Sequence, residues 1–329
     1  MAFVLSGGGN LGALQVGMLK ALAEADIVPD VVLGCSVGAL NGAAYCIDPS
    51  QEGVDRLERV WAGAGSDELM PSSRIPSTLQ MIRKGESLHS AEGLRATIER
   101  FLAGRQTFEE LALPFQCVAT DVDAALERWF DSGPLAAAVQ ASAALPSVFP
   151  MVTIDEHRYV DGGVVDNVPI GRAVALGAKR IYVLQVGPHG RPDHRIRRPF
   201  DAFLLAYWIA RNNRFARDLE HLPEGVEAIV FPADRPDIRY DDFSRTGELI
   251  ERGYTSATEY LARIAAETAQ EPGLAARLRA ERLGEEVREF VTRLRDRRGS
   301  AREVELGEDL DDSLLEQLVT EEEPSTGEP

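Results

Sequence analysis

Val31-Val32-Leu33-Gly34-Cys35-Ser36-Val37-Gly38-Ala39-Leu40 decides how this chain is read. Three branched apolar residues predict a short buried strand that breaks at Gly34. The five residues from Gly34 to Gly38 then spell GxSxG. A serine on a sharp strand-to-helix turn exposes its hydroxyl, and side chains in place of the flanking glycines would collide with neighbouring backbone. The following segment is rich in small residues (Ala39, Gly42, Ala43, Ala44), which lets a helix pack closely, with its N-terminal amides turned toward Ser36. The bare pattern is common, and a serine capping a buried helix is the plain alternative. The strand before it and the helix after it favour a nucleophile.

Upstream, residues 2–6 read as another short buried strand, followed by Gly7-Gly8-Gly9-Asn10-Leu11-Gly12. Leu11, Leu14, Met18, Leu19 and Leu22 then fall on one face of a helix. This βαβ beginning predicts an α/β fold, with a mostly parallel sheet covered by helices. Consecutive glycines let backbone N–H groups approach a developing oxyanion, which makes Gly7, Gly8, Gly9 and Asn10 the candidate oxyanion hole. Gly7, Gly9 and Gly12 also satisfy the dinucleotide fingerprint. That fingerprint wants an acid at the end of the second strand, where this chain carries Gly34-Cys35-Ser36; Asp26 and Asp30 precede the strand. The dinucleotide reading therefore loses.

Ser36 needs a base. The five histidines are His89, His157, His189, His194 and His221. His189 and His194 follow a strand-like run at 180–186, as a triad histidine would, but sit in a basic polar loop; all five read as structural or surface groups. Downstream, Tyr159-Val160-Asp161-Gly162-Gly163 is followed by Asp166-Asn167-Val168-Pro169. An Asp before two glycines is ordinarily a turn residue; here it is also a carboxylate available to a serine.

The ordered set of motifs resembles the patatin-like phospholipases, whose members carry a GGGxxG loop, a GxSxG elbow and a distant DG[GA]. Ala141 to Pro150 resembles the small-residue segment before that DGG, and Asp166–Pro169 the family's DNxP. Many members place Lys or Arg before the last glycine of the first loop, where this chain has Leu11. The resemblance covers about residues 2–187. It implies a three-layer α/β/α patatin-like fold and a Ser36–Asp161 dyad, with motif glycines Gly12, Gly34, Gly38, Gly162 and Gly163. It also implies a serine lipid acyl hydrolase, a phospholipase, lysophospholipase or carboxylic ester hydrolase, acting on a lipid or acyl ester through an acyl-enzyme. An acyltransferase using the same intermediate and a non-catalytic scaffold are the alternatives. No metal or organic cofactor is indicated.

The rest of the 329 residues bounds these expectations. A net charge of −18 excludes a nucleic-acid footprint. Residues 300–329 hold 11 acids against Arg302, which predicts a solvated, disordered tail. Residues 271–299 form an intermittent apolar stripe among arginines, a C-terminal amphipathic segment whose protein partner is unknown. The catalytic domain is expected over 1–270. Three cysteines without metal or disulfide spacing read as buried thiols. The absence of a basic leader and of any apolar run of about 20 residues favours the cytoplasm, with peripheral membrane contact as its extension. Pro199 to Ile209, the most apolar stretch, reads as a buried helix, with an acyl pocket or lipid contact through Phe203 and Trp208 as the sharper alternative.

Overall fold

A computed structural model describes residues 1–63, 91–186, 199–233 and 242–270. β1 (Ala2–Leu5) is its centre, and all four residues are fully buried. A strand buried on both faces must be covered by helices on both, which is why it reads as an unbroken apolar run rather than an alternating one. β1 pairs in parallel with β2 (Val31–Cys35) and with β7 (Arg180–Leu184). β2 pairs in parallel with β3 (Phe115–Asp121), and β7 with β8 (Glu227–Val230). Among the described residues three antiparallel strands complete an eight-stranded sheet: β4 (Leu126–Phe130), β5 (Val152–Ile154) and β6 (His157–Asp161). The fold is a three-layer α/β/α sandwich with a mostly parallel sheet.

The register of β3 positions the site. Residues Phe115–Val118 face β2 and Ala119–Asp121 face β6, while β4 spans Cys117–Asp121. A strand has two edges, so β2 and β6 share one of them. They run in opposite directions and meet head to head, Cys35 opposite Val118 and Asp161 opposite Ala119. Two chain segments 126 residues apart thus end at one point above the sheet.

The helices are α1 (Gly12–Glu24), α2 (Val37–Ile47), α3 (Gln51–Gly63), α4 (Ala91–Leu102), α5 (Leu135–Ser142), α6 (Ile170–Ala175), α7 (Pro199–Glu220) and α8 (Thr246–Gln270). α1 is buried around most of its circumference rather than along one stripe. Its outer side is covered by α8 at backbone contact. A Cβ on Gly17 would overlap the Ile250 carbonyl and the Tyr254 amide, and one on Gly253 would overlap the Leu14 carbonyl. The strands expected at 2–6, 31–33 and 180–186 are β1, β2 and β7, with small shifts at their ends. The amphipathic segment 271–299 and the acidic tail lie outside the described residues. All three cysteines are free and buried, and no helix among the described residues is long and apolar enough to cross a membrane.

Candidate active site

Ser36 follows the last residue of β2 and caps α2 with φ 55° and ψ −123°. A non-glycine residue in that region is strained. The strain is held by close packing: a Cβ on Gly38 would overlap the Leu5 carbonyl, and one on Gly34 would meet the backbone of Gly38 and Ala39. Both glycines of the elbow are therefore steric requirements. The turn is also pinned by hydrogen bonds. Ser36 N donates to Ser142 Oγ at 3.0 Å, and Ser36 O accepts from Ala39 N at 2.8 Å.

Asp161 arrives on β6 and is 1% exposed. Its main chain is fixed by the Asp161 N–Ala144 O bond at 2.9 Å and by Thr120 Oγ1 donating to its carbonyl at 2.9 Å. The block Ala141–Pro150 thus anchors both partners, Ser36 through Ser142 and Asp161 through Ala144. The Asp161 carboxylate accepts from Gly163 N at 2.7 Å, from Tyr207 Oη at 3.3 Å and from Cys35 Sγ at 3.9 Å, and Ser36 stands beside it. Burial pushes its pKa above the ordinary carboxylate value, and Ser36, Gly163 N, Tyr207 and the Arg211 charge pull it partly back. The Tyr207 hydroxyl is pushed well up by its own burial and by the Asp161 charge, so it stays a neutral donor. Gly162 and Gly163 have no room for side chains: a Cβ would overlap the Val118 carbonyl and the Tyr207 hydroxyl respectively.

The glycine loop lies against the same point. A Cβ on Gly7 would come within 3.1 Å of Ser36 Cβ, and one on Gly12 would overlap Val37. The four expected oxyanion residues do not play one role. Gly7 N already donates to Asn167 O at 3.2 Å, which corrects its reading as an oxyanion donor: the amide is consumed in tying the loop to the DNxP segment. Asn10 sends its side chain away, Nδ2 donating to Asp242 O at 2.6 Å. The amides of Gly8 and Gly9 donate to no acceptor among the described residues. Leu11 is buried in the core.

Ser36 also lines an open apolar pocket. Leu40, Trp61, Leu94, Phe101, Phe149 and Phe243 supply most of its wall, with Gly9, Val37, Thr97 and Ala143. A buried hydrogen-bond chain supports it. Trp61 Nε1 donates to Asn41 Oδ1 at 2.8 Å, Asn41 Nδ2 to Gln15 Oε1 at 2.9 Å, and Gln15 Nε2 to Ser6 O at 2.8 Å. The pocket wall and the root of the glycine loop are therefore one connected structure. The 199–209 stretch is helical; Trp208 is buried without lining this pocket, while Ala202, Ala206 and Ile209 are exposed, so it is not a wholly buried helix. The side chain of Phe203 lies outside the described residues.

Sequence reasoning missed the contribution of α7. Tyr207 reaches Asp161, Arg211 Nη2 donates to Gly7 O at 3.3 Å, and Arg214 Nη2 reaches Asp166 Oδ2 at 3.2 Å. Spacings of four and three place these on one helix face. Polar groups recurring at that period inside or just beyond the most apolar stretch were the available signal. Asp166 is 1% exposed, and burial raises its pKa to about 7 against the opposing pull of Arg214. Of the histidines, His157 and His221 are exposed and bound to Asp121 and to the Arg217 carbonyl; His89, His189 and His194 lie outside the described residues. Asp121, Asp123 and His157 could meet at one ion, but these groups already pair with one another or with Arg158.

A serine on a strained elbow beside a buried carboxylate, on an α/β/α sheet, defines the class of site. The chain belongs to the patatin-like phospholipase family, whose pattern matches residues 3–174. It is 33% identical over 195 residues to the rat "Patatin-like phospholipase domain-containing protein 7", covering 59% of this chain and 14% of that protein. It is 30% identical over 187 residues to "Lysophospholipase nte1" of Aspergillus terreus, covering 57% and 12%. The chain thus spans about one seventh of the length of these curated relatives. VipD from Legionella pneumophila superposes with a TM-score of 0.42 at 13% identity, covering 80% of this chain and 66% of that one.

Proposed function

We propose that this chain is a lipid acyl hydrolase that works through a Ser36–Asp161 dyad. The observation that carries this is the placement of Ser36 beside a buried carboxylate, where β2 and β6 meet, at the wall of an apolar pocket. Membership of the family and the lysophospholipase name of one relative support lipid esters as the substrate class.

Ser36 Oγ attacks the ester carbonyl carbon while Asp161 takes its proton. The carbonyl π electrons move to oxygen, and the amides of Gly8 and Gly9 hold the resulting oxyanion. Collapse breaks the bond to the alcohol, which leaves with the proton from Asp161. Water then attacks the acyl-enzyme, Asp161 takes a proton from it, and the second collapse returns that proton to Ser36 with release of the carboxylic acid. An aspartate is a weak base, and burial above its usual value of about 3.9 moves it in the useful direction. Tyr207 and Gly163 N limit that rise by stabilising the ionised form. The acyl chain occupies the pocket of Trp61, Phe101, Phe149 and Phe243. No histidine is required.

A panel of p-nitrophenyl esters on wild type and Asp161→Asn tests this. Loss of about 10³-fold or more in kcat is expected for the mutant, because an amide cannot accept the proton. The acid limb of the wild-type profile should lie above pH 3.9, with activity lost as pH falls through the raised Asp161 value. Retention of activity in Asp161→Asn, with loss in a histidine mutant, would replace the dyad by a triad.

A further inference from the structure

The peptide joining Gly7 to Gly8 is held from its carbonyl side. Gly7 O accepts from Asn167 Nδ2 at 3.4 Å and from Arg211 Nη2 at 3.3 Å. The Gly7 amide is tied to the carbonyl of the same Asn167 at 3.2 Å. In a trans peptide the N–H points opposite to the C=O, and no peptide among the described residues is cis. Fixing the Gly7 carbonyl toward Asn167 and Arg211 therefore directs the Gly8 N–H to the other side. That amide has no acceptor among the described residues, and Gly7 stands against Ser36.

Arg211 is an expensive way to bind one carbonyl. Its Nε is buried without a partner, and its guanidinium lies 4.9 Å from the centre of the Tyr207 ring. A neutral side chain would satisfy a carbonyl at less desolvation cost. What the charge adds is polarisation. A cationic donor on the carbonyl strengthens the N–H of the same peptide as a donor.

Resting on the Ser36–Asp161 reading, we propose that Arg211 and Asn167 are positioning residues of the oxyanion hole, orienting and polarising the Gly7–Gly8 peptide so that the Gly8 N–H receives the oxyanion. Neither touches the substrate. Arg211 has a second consequence through Asp161. The groups acting on that carboxylate are Ser36, Cys35 Sγ, Gly163 N, Tyr207 and Arg211, and Arg211 is the charged one among them. Cys35 beside it is held neutral by burial.

The test compares wild type, Arg211→Met, Arg211→Lys and Asn167→Leu, with Ser36→Ala as the floor, on a short p-nitrophenyl ester across pH. Arg211→Met and Asn167→Leu should each lower kcat about ten- to hundredfold with KM within about threefold, less than loss of the donor itself. In Arg211→Met alone the acid limb should also move to higher pH, because Asp161 loses the charge that lowers its pKa. Arg211→Lys should restore the limb and much of kcat. A residue that only supported the fold would move neither the limb nor kcat apart from KM. Wild-type kcat and limb in Arg211→Met, or a loss in KM alone, would overturn the proposal. If Arg211→Met does not fold, Arg211→Gln, which lacks the charge, reads the same limb. A wild type no faster than Ser36→Ala would remove the dyad reading and this proposal with it. A fast wild type matched by Arg211→Met removes only this one.

Discussion

Ser36 stands between two regions of opposite character. On one side are Asp161, Tyr207, Asn167 and Arg211, polar groups in short-range hydrogen bonds, with the pKa values of Asp161 and Tyr207 raised by burial. On the other are Leu40, Trp61, Leu94, Phe101, Phe149 and Phe243, which offer shape and little else. The polar side tolerates no displacement, because hydrogen bonds weaken steeply with distance and angle. The apolar side acts through area removed from water, which is additive and forgiving. Chemistry and selectivity should therefore separate by mutation.

The largest effect is expected from Ser36→Ala. It should lower kcat by about 10⁴-fold or more for every ester, whatever its chain length. A loss confined to long esters would show that Ser36 belongs to the pocket and not to the chemistry. Next comes Phe149→Asn. Burial of a phenylalanine-sized surface is worth about 1.5–3 kcal/mol, so kcat/KM for an octanoate ester should fall roughly 10- to 100-fold. An acetate ester should stay within about threefold. In wild type each added methylene should raise kcat/KM about fourfold, from about 0.8 kcal/mol per buried CH₂, until the pocket is full. Equal losses on both esters would erase the distinction between the two sides.

Trp61 sharpens the comparison because it joins them. Its ring lines the pocket, and its Nε1 begins the hydrogen-bond chain through Asn41 and Gln15 to Ser6. Trp61→Phe leaves Asn41 Oδ1 without that donor and should destabilise the protein by about 1–3 kcal/mol in urea titration. A fully stable variant would show that the chain of bonds does not tie wall to loop. The last effect, at Asp166, appears only in the pH dependence of stability. Its folded-state pKa of about 7 lies above the unfolded value, so its contribution is fully present below about pH 4 and lost as pH rises through 7. Asp166→Asn should flatten the decline in stability across that window, by at most about 1.4 kcal/mol per pH unit. An unchanged slope would place that titration elsewhere.

The two regions also differ in how far they could be read from residues alone. Gly34, Ser36 and Gly38 are legible because one turn imposes a steric demand on adjacent positions, and the Gly38 contact with the Leu5 carbonyl is that demand. The buried strands β1, β2 and β7 were legible as apolar runs, since both their faces are covered. The pocket was not, because its aromatic residues come from separate helices and loops and would look the same in any core. Ser142, Tyr207 and Arg211 were missed for a related reason. Each is an ordinary residue until a distant segment places it against Ser36, Asp161 or Gly7. β4 escaped notice because its residues are exposed or half-buried, without an alternating apolar face. The hairpin of β5 and β6 turns at Asp155 and Glu156, both at positive φ and neither the Asn or Gly that announces such a turn. The Gly7 amide shows a finer limit: glycine content marks a loop that can bind an anion, but not which of its amides is already occupied.

The most direct test of the central claim is acid-quench peptide mapping by mass spectrometry during turnover of a p-nitrophenyl octanoate. The acyl group should be found on the peptide containing Ser36, and it should be absent from Ser36→Ala. Turnover with the acyl group on another residue, or with none trapped while Ser36→Ala still hydrolyses the ester, would contradict the account.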